Sequence, residues 1–179
     1  MDKPKYKKEY NMKLVTVFLY MILLYFLMGI ITLFFNKIWS IDNYPINRWL
    51  FLPLLVVCTF IHELIHGIFA AIYSPNRFKN IKFGFKLKSL IAYCSINEDM
   101  QVKYSKVVII MPFIVLSLVP FIICFIYGLK SILNIAIIHA AASIGDLIMF
   151  IWLCNEENDY WVKNEKINPK KLEMIVFEE

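Results

Sequence analysis

Four apolar stretches separated by basic segments predict an all-α polytopic membrane protein with a small β-hairpin between its second and third helices. Hydrophobic residues make up 60% of the 179, and the mean hydropathy is +0.62. Both lie well above what a soluble domain carries. Runs 14–35, 49–73, 107–127 and 132–154 are each long enough to cross a hydrocarbon core of about 30 Å, which takes about 20 helical residues. The basic residues fall between those runs in an alternating pattern. Five lie in the N-terminal tail, seven between the second and third runs, and four in the C-terminal tail, against three (Lys37, Arg48 and Lys130) in the other two connections. The positive-inside rule then puts the tails 1–13 and 155–179 and the middle segment in the cytoplasm of a cell membrane protein. The net charge of +5 therefore reflects topology and not a nucleic-acid partner. A single membrane-embedded domain spans 1–179.

The first run follows a Lys-rich stretch, as a secretory leader would. It is too long for a leader's apolar core and lacks a small-residue cleavage site, so it reads as a retained helix with Gly29 as a packing contact. The short connection after it offers Trp39, Tyr44 and Trp49 to the membrane interface. The second run carries His62, Glu63 and His66. Between residues 74 and 106, Ile81, Phe83, Phe85 and Leu87 alternate with Lys82, Gly84, Lys86 and Lys88, and period two means a strand. A second β-prone stretch, 90–96, completes a hairpin about Lys88-Ser89. That hairpin suits either anionic lipid headgroups or an extended peptide paired to its free edge. Pro112 and Pro120 predict a distorted third helix. The fourth run carries His139 and Asp146, and the tail after it ends in a β-prone stretch from Lys171. The four cysteines, Cys58, Cys94, Cys124 and Cys154, have no paired spacing and suggest neither a disulfide framework nor a cysteine metal site.

The chemistry lies in His62-Glu63-Leu64-Ile65-His66. Residues four apart share a helix face, so the two imidazoles can hold one zinc ion, while Glu63 flanks it as a general base. All three histidines, and of fourteen acidic residues only Glu63 and Asp146, fall within the predicted spans. Charged groups there are costly, about 2.5–3.5 kcal/mol each on insertion scales, and so point to function. Glu63 and Asp146 each lie fourteen residues past the start of their spans, about 21 Å deep at 1.5 Å per residue, and both helices run the same way. Asp146 is thus the expected third ligand. Small residues on the two helices (Gly67, Ala70 and Ala71; Ala140 to Ser143 and Gly145) suit close packing between them. His139, two turns before Asp146, fits an alternative ligand, an oxyanion stabiliser or a hydrogen-bonded structural residue.

With His-Glu-Leu-Ile-His-Gly in the second span and Ser-Ile-Gly-Asp-Leu in the fourth, the chain resembles the zincin-type membrane metallopeptidases. It is similar in layout to site-2 proteases, although its aspartate stands in a Gly145-Asp146-Leu147 setting. The resemblance implies zinc on His62, His66 and Asp146, Glu63 as catalytic acid/base, and a substrate-presenting β element at 81–96. The expected function is an intramembrane zinc metallopeptidase acting on membrane-associated proteins or peptides. The rival expectation is a zinc-binding membrane protein without catalysis: a sensor, an immunity-type protein or a small transporter component.

Overall fold

The apolar runs become helices, and the polar segments between them become strands. A computed structural model describes residues 7–38, 48–86, 91–127, 130–163 and 171–178. In chain order these form β1 (Lys7–Lys13), α1 (Leu14–Ile38), α2 (Arg48–Tyr73), β2 (Ile81–Lys86), β3 (Ile91–Ile96) and β4 (Met100–Gln101). There follow α3 (Val102–Phe113), α4 (Val119–Tyr127), α5 (Lys130–Ala142), α6 (Ile144–Cys154), β5 (Trp161–Lys163) and β6 (Lys171–Phe177). Three stretches, Leu14–Phe34, Pro53–Tyr73 and Val102–Tyr127, are helices long and apolar enough to cross a membrane, and the bent pair α5 and α6 makes a fourth if it is one span. Their outward faces are compatible with lipid: on α1, Val15 and Leu33 are each 71% exposed.

The third span starts at Val102, five residues earlier than expected. Its two prolines distort it as predicted, and the distortion is a π-helical segment, Ile114–Leu118, set between them. Pro112 has no N–H, so the carbonyl of Val108 loses its helical partner and is free to bond elsewhere.

The fourth span is not the single helix expected over 132–154. It bends by 55° about Ser143. The Ser143 hydroxyl donates to the carbonyl of His139 at 3.0 Å, and serine back-bonding of this kind bends helices. Ser143 thereby becomes the N-cap position of α6, and Asp146 falls in its first turn, where the helix dipole favours a carboxylate.

The predicted hairpin forms, with Ile81 opposite Ile96, Phe83 opposite Cys94 and Phe85 opposite Ala92. Its expected turn, Lys88-Ser89, lies outside the described residues, as do Trp39 and Tyr44. The apolar face lies on α2. The Phe83 ring sits so close to Gly67 that a Cβ there would collide with it, and the rings of Phe60 and Phe85 are 5.6 Å apart. Ala70 and Ala71 join Ile81, Met100 and Val108 in one core. The small residues of α2 therefore pack on the hairpin and α3, not on the fourth span as expected. Gly29 is likewise no packing contact: it lines a cleft of about 640 Å³ between α1 and α5, where a methyl group in place of its hydrogen would meet open space.

The expectation of an all-α protein with a small β-hairpin is corrected by a second sheet of four antiparallel strands in the order β1-β6-β5-β4, in which β6 is the β-prone stretch expected from Lys171. Lys7 pairs with Phe177 and Lys13 with Lys171, so both tails are strands. Charge hid β1 from its sequence, because an edge strand carries lysines that blunt further pairing. Val102, Leu153, Met174 and Val176 form the core beneath the sheet. Glu156, at the end of α6, accepts from Lys8 Nζ at 2.9 Å and from the Tyr10 hydroxyl. Hydrogen bonds to Glu156 and then Tyr10 raise the Lys8 pKa. One sheet thus gathers the segments before the first and third spans and after the fourth.

Candidate metal centre

Two breaks in helical regularity and one unbroken helix bring the site together. On α2, His62 and His66 share a face, with Nε2 atoms 3.1 Å apart. Asp146 Oδ2, presented by the first turn of α6, lies 3.0 Å from His62 Nε2 and 3.7 Å from His66 Nε2. These three residues form the group able to hold a metal ion among the described residues. The fit to zinc is quantitative. Bonds of about 2.0–2.1 Å in a tetrahedron put ligand atoms about 3.4 Å apart, and the three observed separations bracket that value. Two imidazoles and one carboxylate leave the fourth position open, as catalytic zinc sites require.

The histidines are held from behind. Nδ1 of His66 lies 2.8 Å from the carbonyl of Val108, which can only accept, so Nδ1 carries the proton and Nε2 keeps its lone pair. Nδ1 of His62 lies 3.1 Å from Nε2 of His139, whose Nδ1 lies 2.6 Å from Ser117 Oγ. With His62 Nε2 given to a metal, its Nδ1–H donates to His139, and His139 Nδ1–H donates to Ser117. His139 is buried and meets the His62 ring at Nδ1, the nitrogen that does not face Asp146 and His66. Ser117 sits in the π-helical segment, a distortion common at functional sites.

Glu63 follows His62 on α2, and its Oε2 accepts the backbone N–H of Cys94 at 2.6 Å. The outer edge of β3 is thus tied to the site. Burial, and then the charge of Glu63, pushes the Cys94 thiol up to about 12. Cys58, one turn before His62, is half-buried and outside the ligand group.

All five residues singled out from the sequence come together here: His62, His66 and Asp146 at the centre, Glu63 beside them and His139 behind. Sequence reasoning missed Val108, Cys94 and Ser117. Pro112 was the available signal for the first, since it frees the Val108 carbonyl. Cys94 contributes through its main chain, which no side-chain pattern reveals.

Neither a curated protein nor a solved structure matches the chain. The sequence profile of the family described as "Putative zincin peptidase" matches residues 55–161, from within α2 to the start of β5, and so takes in every residue of this centre. The chain belongs to that family.

Proposed function

We propose that this protein is an intramembrane zinc metallopeptidase that hydrolyses a peptide bond of a membrane-associated protein or peptide. The observation that carries the reading is the convergence of His62, His66 and Asp146 at 3.0 to 3.7 Å beside Glu63. A zinc ion held there supplies Lewis acidity, lowering the pKa of a water to about 7 and polarising a carbonyl. Glu63 takes a proton from the attacking water. It delivers that proton to the departing amine nitrogen as the C–N bond breaks and the new C–O bond forms. His139 acts through His62, as a positioning residue that fixes the ring by way of Ser117, in place of the ligand or oxyanion roles open to it from sequence alone.

The substrate must be extended where it is cut, because a helix hides its backbone. The outer edge of β3 supports pairing with such a segment. Asn97 N–H bonds the carbonyl of Asn80, so alternate residues from 97 back to 93 face β2. Residues 92, 94 and 96 then direct their backbone groups away from it, toward the side where Cys94 meets Glu63. The location proposed is the cell membrane with both termini cytoplasmic. The basic bias of the tails and middle segment supports it, as does their gathering into one sheet.

The test compares purified wild type with Glu63→Gln for bound zinc and for cleavage of membrane peptides. The reading predicts that the variant keeps its zinc and loses about 10²- to 10⁴-fold in turnover. Equal behaviour of the two, with zinc bound in both, favours a non-catalytic zinc protein.

A further inference from the structure

A cavity of about 160 Å³ lies between β3, α3 and β5. Its apolar walls include Ile96 from β3, Val108 and Ile109 from α3, and Val162 from β5. Two residues of the lining are shared with the metal centre. Cys94 also gives its N–H to Glu63, and Val108 also gives its carbonyl to His66. The cavity therefore adjoins both the acid/base and the support of a ligand.

A strand added to β3 would be fixed in register by backbone bonds, and every second side chain would turn to one face. Cys94 and Ile96, two residues apart, both line the cavity, so it lies on a single face of β3. One side chain of an added strand can reach it. An apolar cavity of about 150 Å³ accepts one benzene-sized group, which sets the size of the occupant. Met100 and Ser105 also line it, and Glu98 and Lys163 bring charges of opposite sign to its lining.

From this arrangement we infer that the cavity is the specificity pocket of the peptidase, receiving one Leu-, Met- or Phe-sized apolar side chain of the extended substrate near the cut. The inference rests on the peptidase reading and assigns its substrate class: peptides with a medium apolar residue at one fixed position.

The experiment uses zinc-loaded full-length protein in detergent micelles and a peptide set built around the centre of one apolar membrane-segment sequence, with any cleavage and its position read by mass spectrometry. Each flanking position is varied in turn among Gly, Ala, Leu, Met, Phe, Lys and Asp. Wild type is expected to prefer Leu, Met or Phe at one position by about tenfold or more over Gly, Lys and Asp, the discrimination a hydrophobic pocket achieves. Val162→Phe, which fills the cavity, shifts that preference toward Ala. Ile109→Ala, which enlarges it, shifts it toward Phe, and opposite shifts cannot come from misfolding. Binding of the same peptides, fluorescently labelled, to metal-free protein gives a readout independent of turnover and is expected to follow the same ranking. Cleavage with the same preference in all three proteins, or a preference for Lys or Asp, overturns the pocket and leaves the peptidase intact. No cleavage by wild type, with ranked binding shifted by the two variants, overturns the peptidase and leaves the pocket. Unranked binding overturns the pocket whatever the turnover.

Discussion

The main-chain N–H of Cys94 donates to Oε2 of Glu63 at 2.6 Å, tying the edge of β3 to the residue that follows His62. Under the proposed function, a substrate strand pairing with that edge would compete for the same N–H and free the carboxylate. Since the donor is backbone, Cys94→Ala is expected to keep the bond to Glu63 and the zinc, and to change turnover only through the cavity that the side chain lines. Cys94→Pro, which has no N–H, is expected to lose about tenfold or more while keeping zinc. Turnover and metal content of both variants check this.

The Cys94 thiol, pushed up to about 12 by burial and then by Glu63, stays protonated at neutral pH. At pH 8 about one molecule in ten thousand carries the thiolate, the form that reacts. Alkylation followed by mass spectrometry is expected to label Cys94 about tenfold or more slowly than a free cysteine peptide, the low thiolate fraction outweighing the greater nucleophilicity of a high-pKa thiolate. Labelling at the peptide's rate would contradict the buried hairpin face.

Pro112 is expected to serve the metal centre by what it lacks. Pro112→Ala restores an N–H that competes with His66 Nδ1 for the Val108 carbonyl. Zinc affinity is expected to fall about 10- to 100-fold, the usual loss when a ligand's outer partner goes. Competition against a zinc chelator measures it, and unchanged affinity would refute the role given to Val108.

His139→Ala and Ser117→Ala are expected to weaken zinc binding by a similar factor, since both act through the His62 ring. An oxyanion stabiliser behaves otherwise: its loss lowers kcat and leaves metal affinity unchanged. Measuring both quantities on His139→Ala separates the roles.

Glu98 links the turn before β2 to the end of β3. Its burial opposes ionisation, but hydrogen bonds from Ser74, Asn80 and Asn76 outweigh that and hold its pKa below the usual carboxylate value. A depressed folded-state pKa stabilises above the unfolded-state pKa, and the contribution is lost as pH falls through the folded value. Thermal unfolding of wild type is therefore expected to become easier as pH drops below about 4.5, and Glu98→Gln is expected to show a smaller loss over that window. Parallel curves for the two would remove Glu98 from the account.

The apolar helices and the candidate ligand cluster were legible in the sequence because long apolar runs are a strong signal and polar groups within them are few. His62, His66 and Asp146 stood out by their cost. The bend at Ser143 had a signal too, in Ser143-Ile-Gly-Asp146, a capping signature hidden inside an apolar run. The four-stranded sheet had only a partial signal, the β-prone stretch from Lys171 that becomes β6. Its strands β1 and β6 lie at opposite ends of the chain, and β4 and β5 are two and three residues long, too short for a periodic signal. Nor does any pattern report that Glu156 joins Lys8 across the molecule, since such a pair exists only once the chain has folded.

X-ray absorption at the zinc edge of the purified protein, with metal content per chain, tests the central claim most directly. The account predicts one zinc per chain with two imidazole ligands and one carboxylate, and loss of tight binding in Asp146→Ala. Zinc bound equally tightly in Asp146→Ala, or an ion without histidine ligands, would contradict it.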